Sequence, residues 1–269
     1  PEFYVEGDFK NGIAPVWLKS NEAGNVPYSY INKTGRVIVN TDYLYVTNFQ
    51  EGLMLVSTNG EKYGFCDKDF KLVIEEQFAM AGYFSEGLAN FTYERDGKWG
   101  FIDKEGYVRI EPHFYGTWHF SEGLAAVTDS NNFRWGYINK QGDYVIQPKY
   151  YGAGDFKEGL AFVGVKNDDN ITQFGYINEE EKFVIEPIYR NARNFSEGLA
   201  AVEVNINEGL EGSNPVYKWG YVDKSGGLVI QPQYDSATEF KNGIAIVFLK
   251  GKRNNGYINN KGEYIWEPR

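Results

Sequence analysis

Apolar and polar residues alternate in short runs along the whole chain, and no run shows a helical period. Gly123 to Val127 has apolar residues at alternate positions after a Glu-Gly turn pair, which is typical of a strand that enters from a turn. Trp135 to Ile138 is apolar on both faces, and Tyr144 to Ile146 is apolar at three consecutive positions. The pattern therefore predicts strands near residues 123–128, 135–139 and 143–147, after which Pro148 ends the strand or marks a sheet edge.

Three sequence blocks recur seven times each. Block one has the form Phe-Ser-Glu-Gly-Leu-Ala and begins at Phe9, Phe49, Phe84, Phe120, Phe156, Phe195 and Phe240. Block two has the form Trp-Gly-Tyr-Ile-Asn and begins at Tyr28, Tyr63, Trp99, Trp135, Phe174, Trp219 and Asn255. Block three is an apolar triplet followed in most copies by Glu or Gln and then Pro, as in Ile146-Gln-Pro148. Such a repeat means that each unit must bury its faces against its neighbours.

The spacing of the blocks separates a rigid part of each repeat from an adjustable one. From the glycine slot of block two to the next block-one Phe there are 20 residues in all six cases, whereas the distance from that Phe to the next glycine slot ranges from 15 to 25. Surface loops absorb insertions and packed segments do not. The adjustable connections are therefore surface loops, the longest of which are 17–27, 164–173 and 203–218.

These features predict one all-β repeat domain over residues 1–269, built from seven units of about 38 residues (269 divided by 7). The approximate units are 1–40, 41–75, 76–111, 112–147, 148–186, 187–231 and 232–269. A closed seven-bladed β-propeller is favoured, because the chain begins at the point in the repeat where the last copy ends. An open β-solenoid or hairpin stack is the alternative.

Composition narrows the classes of partner. With 37 acidic and 27 basic residues the net charge is -10, which argues against a nucleic-acid partner. No apolar run approaches the ~20 residues that a membrane span needs, so membrane insertion is not expected. The single cysteine, Cys66, excludes an internal disulfide and a thiolate zinc site. We expect a monomer.

The polar residues predict no catalytic site, metal or cofactor. His113 and His119 occupy variable slots and are expected to face solvent rather than to ligate a metal. The recurrent Glu of the Glu-Gly pair is expected to bond to the turn, because a residue required in every copy usually serves the fold. No nucleotide-binding, EF-hand or nucleophile-elbow motif occurs.

The aromatic content of 17% is unusually high. Twenty-seven of the 46 aromatic residues fall in four recurring slots and are expected to form the core. The slots are the block-one Phe, the Trp of Trp-Gly, the residue after that Gly, and the residue two beyond Pro. Candidate binding residues lie outside these slots: Trp17 and Tyr217 beside long connections, and Tyr4, Tyr115, Trp118 and Tyr151 on the connection after Pro. Exposed Tyr and Trp side chains are common interface anchors, although edge packing against a neighbouring repeat is an alternative role.

The blocks resemble those of the WG-repeat (KWG-repeat) family of bacterial proteins. The resemblance rests on Lys98-Trp99-Gly100, Arg134-Trp135-Gly136 and Lys218-Trp219-Gly220 and covers essentially the whole chain. The first copy departs most, with Tyr28-Ser29 for Trp-Gly and Thr41 in the Pro slot. Membership implies a β-repeat architecture, a bacterial source and often a cell-envelope or secreted setting. It implies no activity, and no catalytic residues carry over.

The sequence favours a non-enzymatic binding or adhesion module that holds a protein or glycan through variable loops and exposed aromatics. No repeat carries a convergent polar set that the others lack. The alternative is a polysaccharide hydrolase or lyase with acidic residues at the centre of a ring.

Overall fold

The computed structural model describes residues 3–5, 9, 12–18, 28–47, 49–129, 133–207, 214–253 and 255–268. These residues form 28 strands in seven four-stranded sheets. Within each sheet the strands follow one another in chain order. No helix occurs in these described ranges, and so none that could cross a membrane. The predictions of an all-β fold and of seven units are confirmed.

The chain divides into two compact units. The first comprises residues 1–120 with 140–142, and the second comprises 121–139 with 143–269. The first sheet, in the first unit, is made of β1 (Phe3–Val5), β2 (Ile13–Leu18), β3 (Tyr28–Asn32) and β4 (Val37–Asn40). The second sheet is made of β5 (Tyr45–Val46), β6 (Met54–Ser57), β7 (Tyr63–Cys66) and β8 (Leu72–Phe78). The third sheet is made of β9 (Met80–Ala81), β10 (Leu88–Thr92), β11 (Trp99–Asp103) and β12 (Val108–Phe114), and β13 (Gly116–Thr117) follows.

The second unit contains the remaining strands. Strands of the fourth sheet in this unit are β14 (Ala125–Thr128), β15 (Trp135–Ile138) and β16 (Tyr144–Tyr150). The fifth sheet is made of β17 (Gly152–Ala153), β18 (Ala161–Lys166), β19 (Thr172–Ile177) and β20 (Phe183–Tyr189). The sixth sheet is made of β21 (Asn191–Ala192), β22 (Leu199–Asn205), β23 (Tyr217–Asp223) and β24 (Leu228–Tyr234). The seventh sheet is made of β25 (Ser236–Ala237), β26 (Ala245–Phe248), β27 (Gly256–Ile258) and β28 (Tyr264–Trp266).

Block three forms an edge strand of each sheet, and in the fourth sheet this strand runs through the proline. β16 continues to Tyr150, so Pro148 does not end it. Because β16 lies at the sheet edge, the N–H that proline lacks is not needed for pairing on its outer side. Of the two roles considered for this proline, the structure supports the edge position.

Neighbouring sheets pack through the residue that follows the block-two glycine. Tyr176 of the fifth sheet is fully buried, and its ring centroid lies 4.8 Å from that of Phe195, the block-one Phe of the next repeat. The Tyr176 hydroxyl donates to the Arg193 carbonyl oxygen at 2.7 Å. The expectation of four core aromatic slots needs correction, since Trp99 and Trp135 are only half-buried and Phe9 and Tyr257 are exposed. Trp99 and Trp135 are each the first residue of their strand.

The Glu-Gly pair forms a turn in which both residues have positive φ, 53° at Glu122 and 84° at Gly123. This is the backbone of a type I′ turn, and a bridge between Ser121 and Leu124 closes it. A positive φ is ordinary for the glycine but not for the Glu. A Glu in this region is strained, so its recurrence indicates a compensating contact.

The two ends of the chain lie in different sheets. β1 pairs with β2 in the first sheet, and the seventh sheet has four strands of its own from residues 236–266. The N-terminal stretch therefore completes the first sheet and not the last. Closure of the repeats into a ring stays a prediction.

Candidate functional site

The candidate site lies in the second unit, between two long hairpins of neighbouring sheets. In the first hairpin, β18 and β19 pair as far as Lys166 and Thr172. The Asn167 side chain closes the tip, because its Oδ1 accepts hydrogen bonds from the Asp169 and Ile171 amides at 3.1 and 2.9 Å. The long connection predicted at 164–173 is therefore an ordered hairpin end.

The second hairpin joins β22 to β23, whose pairing extends to Asn205 and Tyr217. Beyond this pair, the Ile206 amide donates to the Val216 carbonyl oxygen at 2.8 Å. The Asn205 Oδ1 accepts from the Val216 amide at 3.2 Å. The base of the connection predicted at 203–218 is thus held by its own hydrogen bonds, while residues 208–213 lie outside the described residues.

A single residue, Arg190, connects β20 of the fifth sheet to β21 of the sixth, and it lies beside both hairpins. Its amide donates to the Glu203 carbonyl oxygen at 2.9 Å, and its guanidinium carbon lies 5.6 Å from the centroid of the Tyr217 ring. A cavity of about 340 Å³ opens at this point. It is lined by both hairpins and by the end of β20: Asn167, Ile171, Gln173, Ile188, Tyr189, Arg190, Val204, Asn205 and Tyr217. We call this cavity the hairpin groove.

The groove combines apolar surface with one formal charge. Ile188 is 64% exposed, and Ile171 and Tyr217 are also exposed. Ile206 and Val216 add further exposed apolar surface on the second hairpin. Arg190 is the one charged side chain in the lining, and Asn167, Gln173 and Asn205 supply amide groups. This lining can hold an apolar side chain and pair with a carboxylate or with main-chain polar groups.

Of the predicted binding residues, Tyr217 lines the groove, and Tyr151 occupies the corresponding place one sheet earlier. The Tyr151 amide donates to the Gly164 carbonyl oxygen at 2.8 Å, as that of Arg190 does to Glu203. Both residues stand three positions beyond their Pro. One face of the Tyr151 ring is covered by the Arg134 guanidinium, whose carbon lies 3.5 Å from the ring centroid. Much of this ring is therefore already engaged within the chain.

The other predicted aromatics lie in the first unit. Tyr115 and Trp118 flank β13 and are both exposed, and the Lys98 ammonium lies over the Tyr115 ring. Tyr4 and Trp17 are cross-strand neighbours in β1 and β2. Trp17 was expected in a loop, but it belongs to a strand, because β1 and β3 both pair with this end of β2. The rest of the connection predicted at 17–27, residues 19–27, lies outside the described residues.

Sequence reasoning missed Ile188 and Arg190. A signal for Ile188 was present, since its slot one beyond Pro holds the polar residues His113, Lys149 and Gln233 in other copies. An apolar residue that is exposed in an otherwise polar slot is out of pattern. Arg190 carries no comparable signal, because its role depends on the hairpin of the following repeat.

The recurrent Glu side chains are used by the fold. The Glu122 carboxylate accepts hydrogen bonds from the amides of Glu158 and Gly159, in the turn of the following repeat, at 2.6 and 2.8 Å. Glu51 makes the same contact with Glu86 and Gly87. Glu158 and Glu197 likewise accept hydrogen bonds from the turn of the next repeat. The expected structural role holds, but the turn is that of the next repeat.

The two histidines make ring contacts and hydrogen bonds within the chain. Within the part of the chain that the structure describes, no group of three or more His, Cys, Asp or Glu could hold a metal ion. His119 is half-buried rather than fully solvent-facing, and its ring contacts Tyr83, with the Tyr83 hydroxyl 2.9 Å from Nε2. Cys66 is fully buried, and burial raises the pKa of its thiol to about 12, so it is inert.

The comparison with known families settles the membership of the chain. The pattern described as "WG containing repeat" matches residues 28–61, 63–94, 99–133, 135–168, 174–205 and 219–252. The chain belongs to the WG-repeat family. The matches leave both ends of the chain, residues 1–27 and 253–269, outside. No curated protein matches the sequence.

Solved structures show the same kind of fold at low identity. An uncharacterized protein from Listeria monocytogenes is 10% identical, with 98% of this chain and 94% of that one covered, at a TM-score of 0.56. Hsv2 from Kluyveromyces marxianus is 11% identical, with 80% and 76% covered, at a TM-score of 0.50. The WD40 β-propeller domain of Doa1 is 11% identical, with 83% and 82% covered, at 0.41. Four-stranded antiparallel sheets in series are the blades of a β-propeller, so the WG-repeat fold here is propeller-like.

Proposed function

We propose that this chain is a non-enzymatic binding module that holds a protein partner in the hairpin groove. The observation that carries the proposal is that the two longest described connections, which sequence spacing marks as adjustable, line one cavity. Rigid sheets position these hairpins, so binding orders few additional groups. Changes in the length of the hairpins would change which partner the groove binds without disturbing the sheets.

The chemistry of the groove favours a protein over a glycan. Sugar recognition uses open aromatic faces and many hydrogen bonds to hydroxyl groups. Here the exposed surface is largely aliphatic, with Ile171, Ile188, Ile206 and Val216, and the Tyr217 ring is adjacent to Arg190. Aliphatic side chains around one cation suit an apolar anchor of a protein with a nearby carboxylate. Tyr4, Trp17, Tyr115, Trp118 and Tyr151 remain proposed as secondary contacts.

The proposal is tested by affinity once a partner has been isolated with the immobilised chain and identified by mass spectrometry. Ile188→Glu places a charge in the groove and should raise Kd at least about tenfold, a change of about 1.4 kcal/mol. Tyr217→Ala and a shortened 205–214 connection should also weaken binding. The melting temperature should change little, because Ile188 and Tyr217 are exposed.

The matched control is Val184→Glu, which introduces the same charge at an exposed apolar position on the same strand but outside the groove lining. It should leave Kd unchanged. Equal affinity of the wild-type chain, Ile188→Glu and the shortened variant would refute the groove as the binding site. Binding to a glycan array that Ile188→Glu abolishes would keep the site but overturn the protein partner.

A further inference from the structure

The short first strand begins with a large exposed side chain in the second and third sheets, which both belong to the first unit. Tyr45 starts β5 and is 40% exposed, and Met80 starts β9 and is 43% exposed. In the fourth to seventh sheets the same slot holds a small or polar residue, namely Gly116, Gly152, Asn191 and Ser236. The fold therefore does not require a large side chain in this slot, and the two that occur need another explanation.

Both side chains line one cavity of about 270 Å³ in the first unit. We call this cavity the tyrosine pocket. Its lining includes Tyr45, Leu55, Tyr63, Ala79, Met80 and Arg95. Leu55 and Ala79 are buried, whereas Tyr45 and Met80 are exposed, so the pocket passes from an apolar interior to the surface.

Two tyrosine rings form a corner of the pocket. The ring centroids of Tyr45 and Tyr63 lie 5.2 Å apart, and the ring planes meet at 89°. Rings in this edge-to-face arrangement leave further ring surface for a third aromatic group, and a methionine sulfur such as that of Met80 suits the edge of a ring. An apolar cavity of ~150 Å³ already holds benzene, so the pocket has room for one ring with a substituent.

Arg95 supplies the one formal charge among the described residues of the lining. It is exposed and lies in the turn between β10 and β11, where the Thr92 hydroxyl donates to the Glu94 carbonyl oxygen at 2.8 Å. The Lys62 ammonium, in the hairpin before β7, donates to the Tyr93 carbonyl oxygen at 3.1 Å and so ties this turn to the second sheet. The turn therefore holds a guanidinium at the pocket, and a carboxylate is the acceptor that a guanidinium binds best.

We propose that the tyrosine pocket binds a monocyclic aromatic carboxylate, with the ring against Tyr45, Tyr63 and Met80 and the carboxylate paired with Arg95. The tyrosine rings favour a flat ring over an aliphatic one, and the guanidinium favours an anion over a neutral amide. The pocket belongs to the first unit and shares no residue with the hairpin groove, so this site is independent of the proposed function.

The two methionines of the chain allow the site to be observed in the unmodified protein. With isotopically labelled methionine methyl groups, the NMR spectrum has one signal from Met80 and one from Met54, which is fully buried in β6 and serves as an internal control. Met80→Leu assigns the two signals. Added phenylacetate should shift the Met80 signal along a saturating curve and leave the Met54 signal in place.

Two analogues of the probe separate the contributions of the ring and the charge. Cyclohexylacetate keeps the carboxylate but has an aliphatic ring, and phenylacetamide keeps the aromatic ring but has no charge. Both should bind with a higher Kd than phenylacetate. A Met80 signal that phenylacetate leaves unmoved would overturn the proposal, and so would an equal Kd for cyclohexylacetate.

Variants assign the contacts to residues. Tyr45→Ser introduces the residue that the seventh sheet has in this slot, Ser236, so the strand should still form, and Kd for phenylacetate should rise about tenfold because an aromatic contact and its buried area are lost. Arg95→Gln should raise this Kd about threefold, as expected for an exposed ion pair, and leave Kd for phenylacetamide unchanged. Tyr107→Ser and Arg36→Gln, at exposed positions outside the lining, are the matched controls and should bind like the wild type. Equal affinity of Arg95→Gln and the wild type for phenylacetate would refute the pairing with the carboxylate.

Discussion

At the scale of single residues, the glycine of the Trp-Gly pair marks a close approach between two neighbouring strands. A Cβ placed on Gly136 would lie 2.5 Å from the Ile146 carbonyl oxygen and 2.7 Å from the Pro148 nitrogen, closer than real contacts allow. The register between β15 and β16 shifts at this point, so the edge strand bends toward the glycine. In the first sheet Ser29 replaces the glycine and Thr41 the proline, and the pairing of β3 with β4 has one shift instead of two.

Gly136→Ala should therefore destabilise the protein by about 1–3 kcal/mol, the usual cost of forcing atoms into a packed region. The clash is with main-chain atoms, which cannot move without breaking the pairing of β15 with β16. Urea unfolding followed by circular dichroism measures the change. Val145→Ala, at an exposed position of β16, is the control and should change the midpoint little. An equal, small effect of both variants would contradict the close approach.

The sequence predicted many residue environments but not their partners. Buried aromatic slots such as those of Tyr137 and Phe156 follow from the repeat, because a position that is aromatic in every copy must serve packing. The half-burial of Trp135 could not be predicted, since it depends on where the strand ends. For the site, Tyr217 was found from its place beside a long connection. Arg190 was missed because its neighbours belong to another repeat.

At the scale of elements, the turns are joined by carboxylates that reach from one repeat into the next. Glu51 has a φ of 50° and bonds to two amides of the following turn, and its carboxylate also pairs with the Lys104 ammonium at 3.1 Å. This contact offsets the strain of holding the Glu51 backbone in the left-handed conformation. In the last copy Asn242 stands in the Glu slot with a φ of 54°. Asn tolerates this conformation better than Glu does.

The Glu51 contact makes stability depend on pH. Burial alone would raise the pKa of Glu51, but the hydrogen bonds from Lys104, Gly87 and Glu86 outweigh it and hold the pKa below its ordinary value of 4.5. A carboxyl whose pKa is lowered in the folded state stabilises the protein above its unfolded pKa, and this stabilisation is lost as pH falls through the folded value. Glu51→Gln should therefore lower the melting temperature at pH 7 and matter progressively less below pH 4.5.

Melting curves of both proteins across this pH range measure the effect. Glu105→Gln, at an exposed position that makes no such contact with another turn, is the control and should track the wild type at every pH. A constant difference between Glu51→Gln and the wild type from neutral to acidic pH would show that the charge of Glu51 plays no part in holding the turn.

At the scale of the whole molecule, the constant interval of 20 residues is the segment that passes from one sheet to the next. In the second unit, β16 ends at Tyr150 and β17 begins at Gly152, so Tyr151 alone joins the fourth sheet to the fifth. The sequence predicted the strand only over 143–147, with Pro148 as its end or as a sheet edge. The edge strand and the connection are instead nearly continuous. The constant length of this segment is consistent with that arrangement, whereas the proline suggested that the strand ends earlier.

Insertions should therefore have opposite effects at the two kinds of connection. Adding Gly-Ser after Tyr151 would displace Gly154 and Phe156, whose carbonyl oxygen and ring contact Tyr137. The fourth and fifth sheets could then no longer pack in register. The free energy of unfolding should therefore fall several times more than it does for the same insertion in a surface loop. The same insertion after Asp168, at the tip of the β18–β19 hairpin, lengthens only a surface loop and should cost about 0.5 kcal/mol or less. Urea unfolding compares the two, and equal costs would show that the connection at Tyr151 does not set the packing between sheets.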